Sequence, residues 1–142
     1  TIQRGLIGEI IARFEKKGLI LEGMKMTWLT DEILSEHYAH LKERSFFQRV
    51  KDAMAVCPVI VCCWKGVDAV NVVRTLAGAT NGRNAAPGTI RGDYSMSVQE
   101  NIVHASDSPE TAAIELKRFF NEDELFSYET KNLLSLYAND EF

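Results

Sequence analysis

The sequence predicts an α+β protein, an α/β sandwich with helices packed on one face of a sheet. Three observations carry this: the strands are few, helices separate them along the chain, and apolar residues recur at helical spacing on one side of the helices. The 142 residues fit one compact domain spanning 1–142, and an apolar content of 46% is enough to fill one core. No internal repeat, linker or low-complexity stretch divides them.

The first helix follows from Leu6, Ile7, Ile10, Ile11 and Phe14, which fall on one face. Lys16 and Lys17 suit its last turn and Gly18 its stop. Residues 19–27 read as a strand with Met24 and Met26 on one face. Thr30 suits the cap of a second helix carrying Ile33, Leu34, His37, Tyr38 and Leu41. A short helix is expected over 46–54. Pro58 opens the clearest strand, over 59–64, apolar on both faces and hence expected inside its sheet. Residues 67–77 read as a helix stopped by Gly78. The polar segment 79–99, with Gly82, Pro87, Gly88 and Gly92, is too long for a simple connection, and loops of that length usually carry function. A short strand is expected over 101–105. Ser108 then caps a helix that has Pro109 at its first position and Ile114, Leu116, Phe119 and Phe120 as its apolar positions. A last short helix holds Leu133, Leu134 and Leu136.

Composition excludes several classes. A net charge of −4 argues against a nucleic-acid surface, which needs a basic stripe to neutralise phosphates. No apolar run approaches the ~20 residues that span a bilayer, so no membrane partner is expected. Residues 1–5 lack a signal pattern, and a cytoplasmic location is the default. Cys57, Cys62 and Cys63 are odd in number, and adjacent strand residues point to opposite faces, so they form neither a disulfide framework nor a metal clip. They read as small buried hydrophobes.

Neither G-x-x-x-x-G-K-[ST] nor G-x-G-x-x-G occurs, nor a protein-kinase catalytic loop, so any phosphate must be bound largely by side chains. Three features invite a chemical reading. His104 sits at a strand end before polar residues and a helix start, although a hydrogen-bonded structural histidine would look the same. Arg74 borders the apolar flank formed by Val70, Val73 and Ala77, where it needs an anion or an exit to water. Arg91 lies in Gly88-Thr89-Ile90-Arg91-Gly92-Asp93, where glycines permit close backbone approach and the guanidinium fork suits phosphate oxygens; a tight turn with a surface ion pair is the alternative. His37 and His40, three apart, lack the further ligands of a metal site.

Together these segments match a family. The stretch Gln3-Arg4-Gly5-Leu6-Ile7-Gly8-Glu9, the helix with Glu36-His37-Tyr38, the pair Phe46-Phe47, the loop Pro87 to Asp93 and the core Asn101 to Asp107 resemble nucleoside diphosphate kinases in order and spacing. The resemblance runs from Thr1 to about Tyr137, and the N-x-x-H-x-S-D segment is its most specific part. It implies a ferredoxin-like antiparallel sheet with helices on one face. It also implies transfer of a γ-phosphate from a nucleoside triphosphate to a diphosphate (ATP, ADP, GDP and others) by covalent, ping-pong catalysis.

On this resemblance His104 is the phosphorylated nucleophile, and a histidine suits the task because imidazole is available in neutral form near pH 7. Glu115 orients it, Ser106 hydrogen-bonds the transferring phosphate, and Tyr38 lines the site. Arg74, Thr80 and Arg91 bind phosphate, Asn101 binds the ribose hydroxyls, and Phe46 and Val98 contact the base on its two faces. Stacking does not read base edges, so many nucleotides are accepted. Mg²⁺ rides on the nucleotide phosphates with few direct protein ligands. The assembly implied is a homohexamer built from dimers, with a homotetramer as the alternative.

Several positions depart from the family pattern. Ala105 replaces a frequent glycine, Ser45 a frequent proline, and Gly82 a proline in a loop that builds subunit contacts, which suggests a weaker assembly. The family also has Lys-Pro-Asp, at the end of a strand interior to its sheet, just before the segment matched by Thr1 to Gly5. Neither is within the 142 residues, and the expectation is a longer polypeptide whose first strand is absent here. Such a chain would leave a gap in its sheet, or fill it from elsewhere, and would transfer phosphate slowly. An alternative function is therefore a catalytically impaired oligomer of the same fold that binds nucleotide or a protein partner.

Overall fold

The structure, a computed structural model, describes residues 1–37, 48, 52, 54–131, 133–138 and 140–141. After a 3-10 turn at Ile2–Arg4, helix α1 (Ile7–Lys17) ends at Gly18, whose φ of 105° suits a residue without Cβ and whose N–H returns to the carbonyls of Phe14 and Glu15. Its apolar face buries Ile10 and Phe14 in a core shared with Leu19 and Ile90. The Phe14 and Trp64 rings meet there with centroids 5.3 Å apart.

Strand β1 (Ile20–Thr27) pairs antiparallel with β2 (Val59–Lys65), from Ile20 opposite Lys65 to Thr27 opposite Val59, with an irregularity between Leu21 and Gly23. At Gly23 the 120–125 segment comes close: a Cβ there would lie 2.8 Å from the Leu125 side chain. Phe126 donates its N–H to the Glu22 carbonyl beside it. Between the strands runs α2 (Asp31–His37), where Thr30 Oγ1 accepts from the Ile33 N–H at 3.3 Å, as the cap reading requires. Of the helix expected over 46–54, residues 48, 52, 54 and 55 are helical and the remainder lie outside the described residues. Helix α3 (Ala69–Ala77) closes on Gly78 with φ 84°. Cys63 is buried, Cys57 and Cys62 are half-buried, and all three thiols are free. Burial pushes the Cys62 thiol up to about 11, in keeping with an inert packing role.

Four expectations need correction. The polar segment 79–99 is not irregular throughout. It contains a 3-10 turn at Gly82–Asn84 and helix α4 (Ile90–Tyr94), capped by Thr89, whose Oγ1 accepts from the Gly92 N–H at 3.0 Å. Residues 101–105 are not a strand. Among the described residues the sheet has only β1 and β2, so this segment has no ladder to join, and its carbonyls bond a guanidinium instead. Among the described residues β2 likewise has a single strand neighbour rather than two. In α5 (Pro109–Phe119), Ser108 caps the Thr111 N–H as expected, but Ile114 is exposed. Only one side of that helix faces the body, and the burial falls to Phe120 just beyond its end. A 3-10 turn at Glu122–Glu124 and the short α6 (Leu133–Leu136) follow.

Candidate active site

The C-terminal end of α3, the 79–99 segment and the histidine segment come together around Arg91. Ile90, fully buried, roots α4 in the core, and the next residue turns its side chain inward with only 9% of its surface exposed. Arg91 Nη1 donates to the Gly78 carbonyl at 2.8 Å, Nη2 to Val103 at 2.6 Å and Nε to Asn101 at 3.3 Å. One planar fork thus joins three stretches of backbone. Burial, and then the nearby charge of Arg74, lower the Arg91 pKa from the usual arginine value. Arg74 is exposed, and no ion pair to it occurs among the described residues. Two cations held near one another without an acid between them favour a bound anion.

The backbone just before the histidine is strained. Ile102 has φ 74°, an outlier for a β-branched residue. The Thr1 hydroxyl donates to its carbonyl, and Arg91 holds the residues on either side. His104, with about half its side chain exposed, brings Nε2 to 3.0 Å from Glu115 Oε1. The other Glu115 oxygen accepts from the Ser106 hydroxyl. Glu115 sits on α5 about two turns below the Ser108 cap, so the helix that follows the histidine also supplies the carboxylate that faces it. With Nε2 as donor to the carboxylate, Nδ1 is the ring nitrogen that carries a lone pair.

The remaining candidates divide. Asn101 Nδ2 donates to the carbonyls of Val98 at 2.9 Å and Thr80 at 3.2 Å, so Thr80, Val98 and Asn101 meet at one place, with the Val98 side chain exposed. Tyr38, Phe46 and His40 lie outside the described residues.

Residues not singled out from sequence complete the site's support. Arg13 on α1 reaches Asp93 Oδ2 at 2.7 Å, and Asp93 Oδ1 accepts the Gly88 N–H at 2.8 Å. These two bonds, the Gly88 N–H first, hold the Asp93 carboxyl below the ordinary range. The available signal was the Glu9–Arg13 spacing on α1, an i,i+4 pair with Nε 3.0 Å from Oε1.

Comparison with known proteins agrees with this geometry. The sequence model of the family described as nucleoside diphosphate kinase matches residues 1–125. A nucleoside diphosphate kinase of Parabacteroides distasonis is 86% identical over 142 residues, covering 100% of this chain and 93% of that protein. One of Archaeoglobus fulgidus is 48% identical over 128 residues, covering 90% of this chain and 85% of its own. Among solved structures, a halophilic nucleoside diphosphate kinase of Halobacterium salinarum in complex with CDP superposes with a TM-score of 0.94 at 39% identity, over 96% of this chain and 91% of that one. The fold is accordingly the α+β, ferredoxin-like arrangement of those neighbours. The chain belongs to the nucleoside diphosphate kinase family, enzymes that transfer the γ-phosphate of a nucleoside triphosphate to a nucleoside diphosphate.

Proposed function

We propose that the phosphate passes through His104. The observation that carries this is the pairing of His104 Nε2 with a carboxylate whose second oxygen is itself held by Ser106. Glu115 fixes the ring and supports the positive charge that grows on it. The Nδ1 lone pair forms the N–P bond as the bond from the γ-phosphorus to the bridging oxygen breaks, and the electron pair leaves on the diphosphate. A second diphosphate then takes the phosphoryl group by the reverse step. The transition state is loose and its charge lies on phosphoryl oxygens, so fixed donors matter most. Arg74, Arg91 and Thr80 are cation and hydroxyl donors, a set suited to phosphate oxygens, and Ser106, whose hydroxyl hydrogen is held by Glu115 here, joins them by rotating that hydrogen to the phosphate. The substrate is the nucleotide with its Mg²⁺, held through the phosphates and without dedicated protein ligands.

The side-chain amide of Asn101 spends its N–H groups on Thr80 and Val98, which leaves Oδ1 to accept from a ribose hydroxyl. Val98 offers one apolar face to the base; Phe46 for its other face and Tyr38 for the site lining are roles that the family resemblance implies. The Halobacterium neighbour is a complex with CDP, which supports a nucleoside diphosphate as a ligand of this chain. The enzyme works in the cytoplasm as a homohexamer built from dimers, or failing that a homotetramer.

Brief incubation with labelled ATP and Mg²⁺ is expected to place an acid-labile, base-stable phosphate on the protein. Label that survives in His104→Ala refutes the mechanism. The phosphoenzyme should pass its phosphate to ADP, GDP and CDP alike. A preference above roughly a hundredfold, about 2.7 kcal/mol, contradicts a base site made only of Phe46 and Val98.

A further inference from the structure

Arg91 rides on α4, a helix of five residues, far below the ~12–15 at which a helix has stability of its own. Something else must hold it. Ile90 anchors one side in the core, and the segment's two ends converge on a single side chain of α1. Arg13 Nη1 donates to the Gly88 carbonyl at 3.1 Å, at the start of the segment. At its end Nη2 lies 2.7 Å from Asp93 Oδ2 and 3.1 Å from the Tyr94 hydroxyl. The guanidinium also sits 4.9 Å from the centre of the Tyr94 ring. Glu9 receives Nε at 3.0 Å and thereby fixes the arginine's rotamer. The Gly88–Asp93 bond closes the loop on itself.

We propose that Arg13 is a positioning residue for phosphoryl transfer: by clamping both ends of the 88–94 segment to α1 it fixes Arg91, and through Arg91 the backbone that carries His104. The proposal rests on the reading of His104 and Arg91 as members of the site. The connection is continuous in space. Arg13 holds Gly88, Asp93 and Tyr94; Arg91 lies between them; and its Nη2 and Nε hold Val103 and Asn101, the first of which precedes His104. A lysine in place of Arg13 could pair with Asp93 but has no fork to span the carbonyl, the carboxylate and the hydroxyl together. Misplacement of about 1 Å at a reacting group can slow a reaction roughly a hundredfold, so slack in the clamp should appear in the chemical step more than in nucleotide binding, to which ribose and base also contribute.

The test uses the full chain, below the melting temperature of each variant, with kcat, KM and the rate of His104 phosphorylation measured together. Arg13→Ala is expected to lower kcat about tenfold to a hundredfold while KM changes less. Arg13→Lys should recover part of the loss. In an Arg91→Lys background, Arg13→Ala should add little, because Arg13 acts through Arg91. Should Arg13→Ala fail to fold, Arg13→Lys and Asp93→Asn carry the same comparison. Wild-type kcat in a folded Arg13 variant, or full additivity with Arg91→Lys, overturns the proposal alone. Transfer that survives in His104→Ala overturns the reading beneath it as well.

Discussion

At the scale of single residues, Arg91 and Gly82 show how differently one side chain and the lack of one are used. Three N–H groups of Arg91 end on carbonyls of Gly78, Asn101 and Val103, so this cation ties together the segments around His104. Lysine, a point charge on a flexible stem, cannot bond three separate strands of backbone. Arg91→Lys is expected to lower stability by about 1–3 kcal/mol, the cost of leaving a buried acceptor unpaired, and to slow transfer as well. A variant with unchanged denaturant midpoint would refute this. Gly82 stands where the family pattern often has proline. The structure gives it a role of its own: its N–H donates to the Ser97 carbonyl at 3.1 Å, and a Cβ would lie 2.4 Å from the Ser95 carbonyl oxygen. Proline would remove that donor and collide with Ser95. Gly82→Pro is therefore expected to destabilise this chain by about 2 kcal/mol or more, rather than strengthen it, and a raised melting temperature would show the local packing to be unimportant.

At the scale of elements, the tie between α1 and the α4 segment makes stability depend on acid. The Glu9 and Asp93 carboxyls are held below their ordinary values of 4.5 and 3.8, Glu9 first by its bond from Arg13 and Asp93 first by the Gly88 N–H. Glu124 is held below 4.5 by Lys25 and by the Asn121 N–H. A carboxyl whose pKa is depressed on folding contributes stability above its unfolded value, and that contribution is lost as pH falls through the folded one. Melting temperature should then be flat near neutrality and fall below about pH 4. Asp93→Asn should already be less stable at pH 7 and should fall less steeply in acid. Parallel curves for the two proteins would rule out Asp93 as a contributor. These groups are partly open to solvent, so salt should weaken the effect.

At the scale of the whole molecule, β1 leaves a surface that assembly would cover. Its other edge has no strand partner among the described residues, only bonds from Phe126 and Tyr128 near Leu21 and Glu22, and Met24 and Met26 on one face are 51% and 60% exposed. Open edges and clustered apolar side chains invite association. Light scattering at micromolar protein is expected to give the mass of a hexamer. A tetramer would support the alternative, and a monomer would refute both.

Much of this architecture was legible in the chain itself, where each feature rests on neighbours in sequence. Helix α1 and its glycine stop, the Thr30 and Ser108 caps, the β2 strand and the stop at Gly78 all depend on local spacing and on single residues with one conformational use. His104, Ser106 and Glu115 were singled out through the family resemblance of the Asn101 to Asp107 segment, and the Ser108 cap that starts the next helix was legible locally. What local spacing could not give was the fate of residues 101–105, read as a strand because their composition suits one. A strand exists only where a ladder partner does, and here the partner of those carbonyls is Arg91. Nor could the chain announce that Ile90, in a polar glycine-rich stretch, would be wholly buried, or that Arg13 would meet Asp93 eighty positions away. The sequence by itself determined most of the helices and their ends, through interactions over a few residues, and by resemblance it pointed to His104 as the candidate reacting group. Only the tertiary structure decided that Arg91 holds backbone while Arg74 stays exposed, because that depends on segments far apart in the chain being packed against one another.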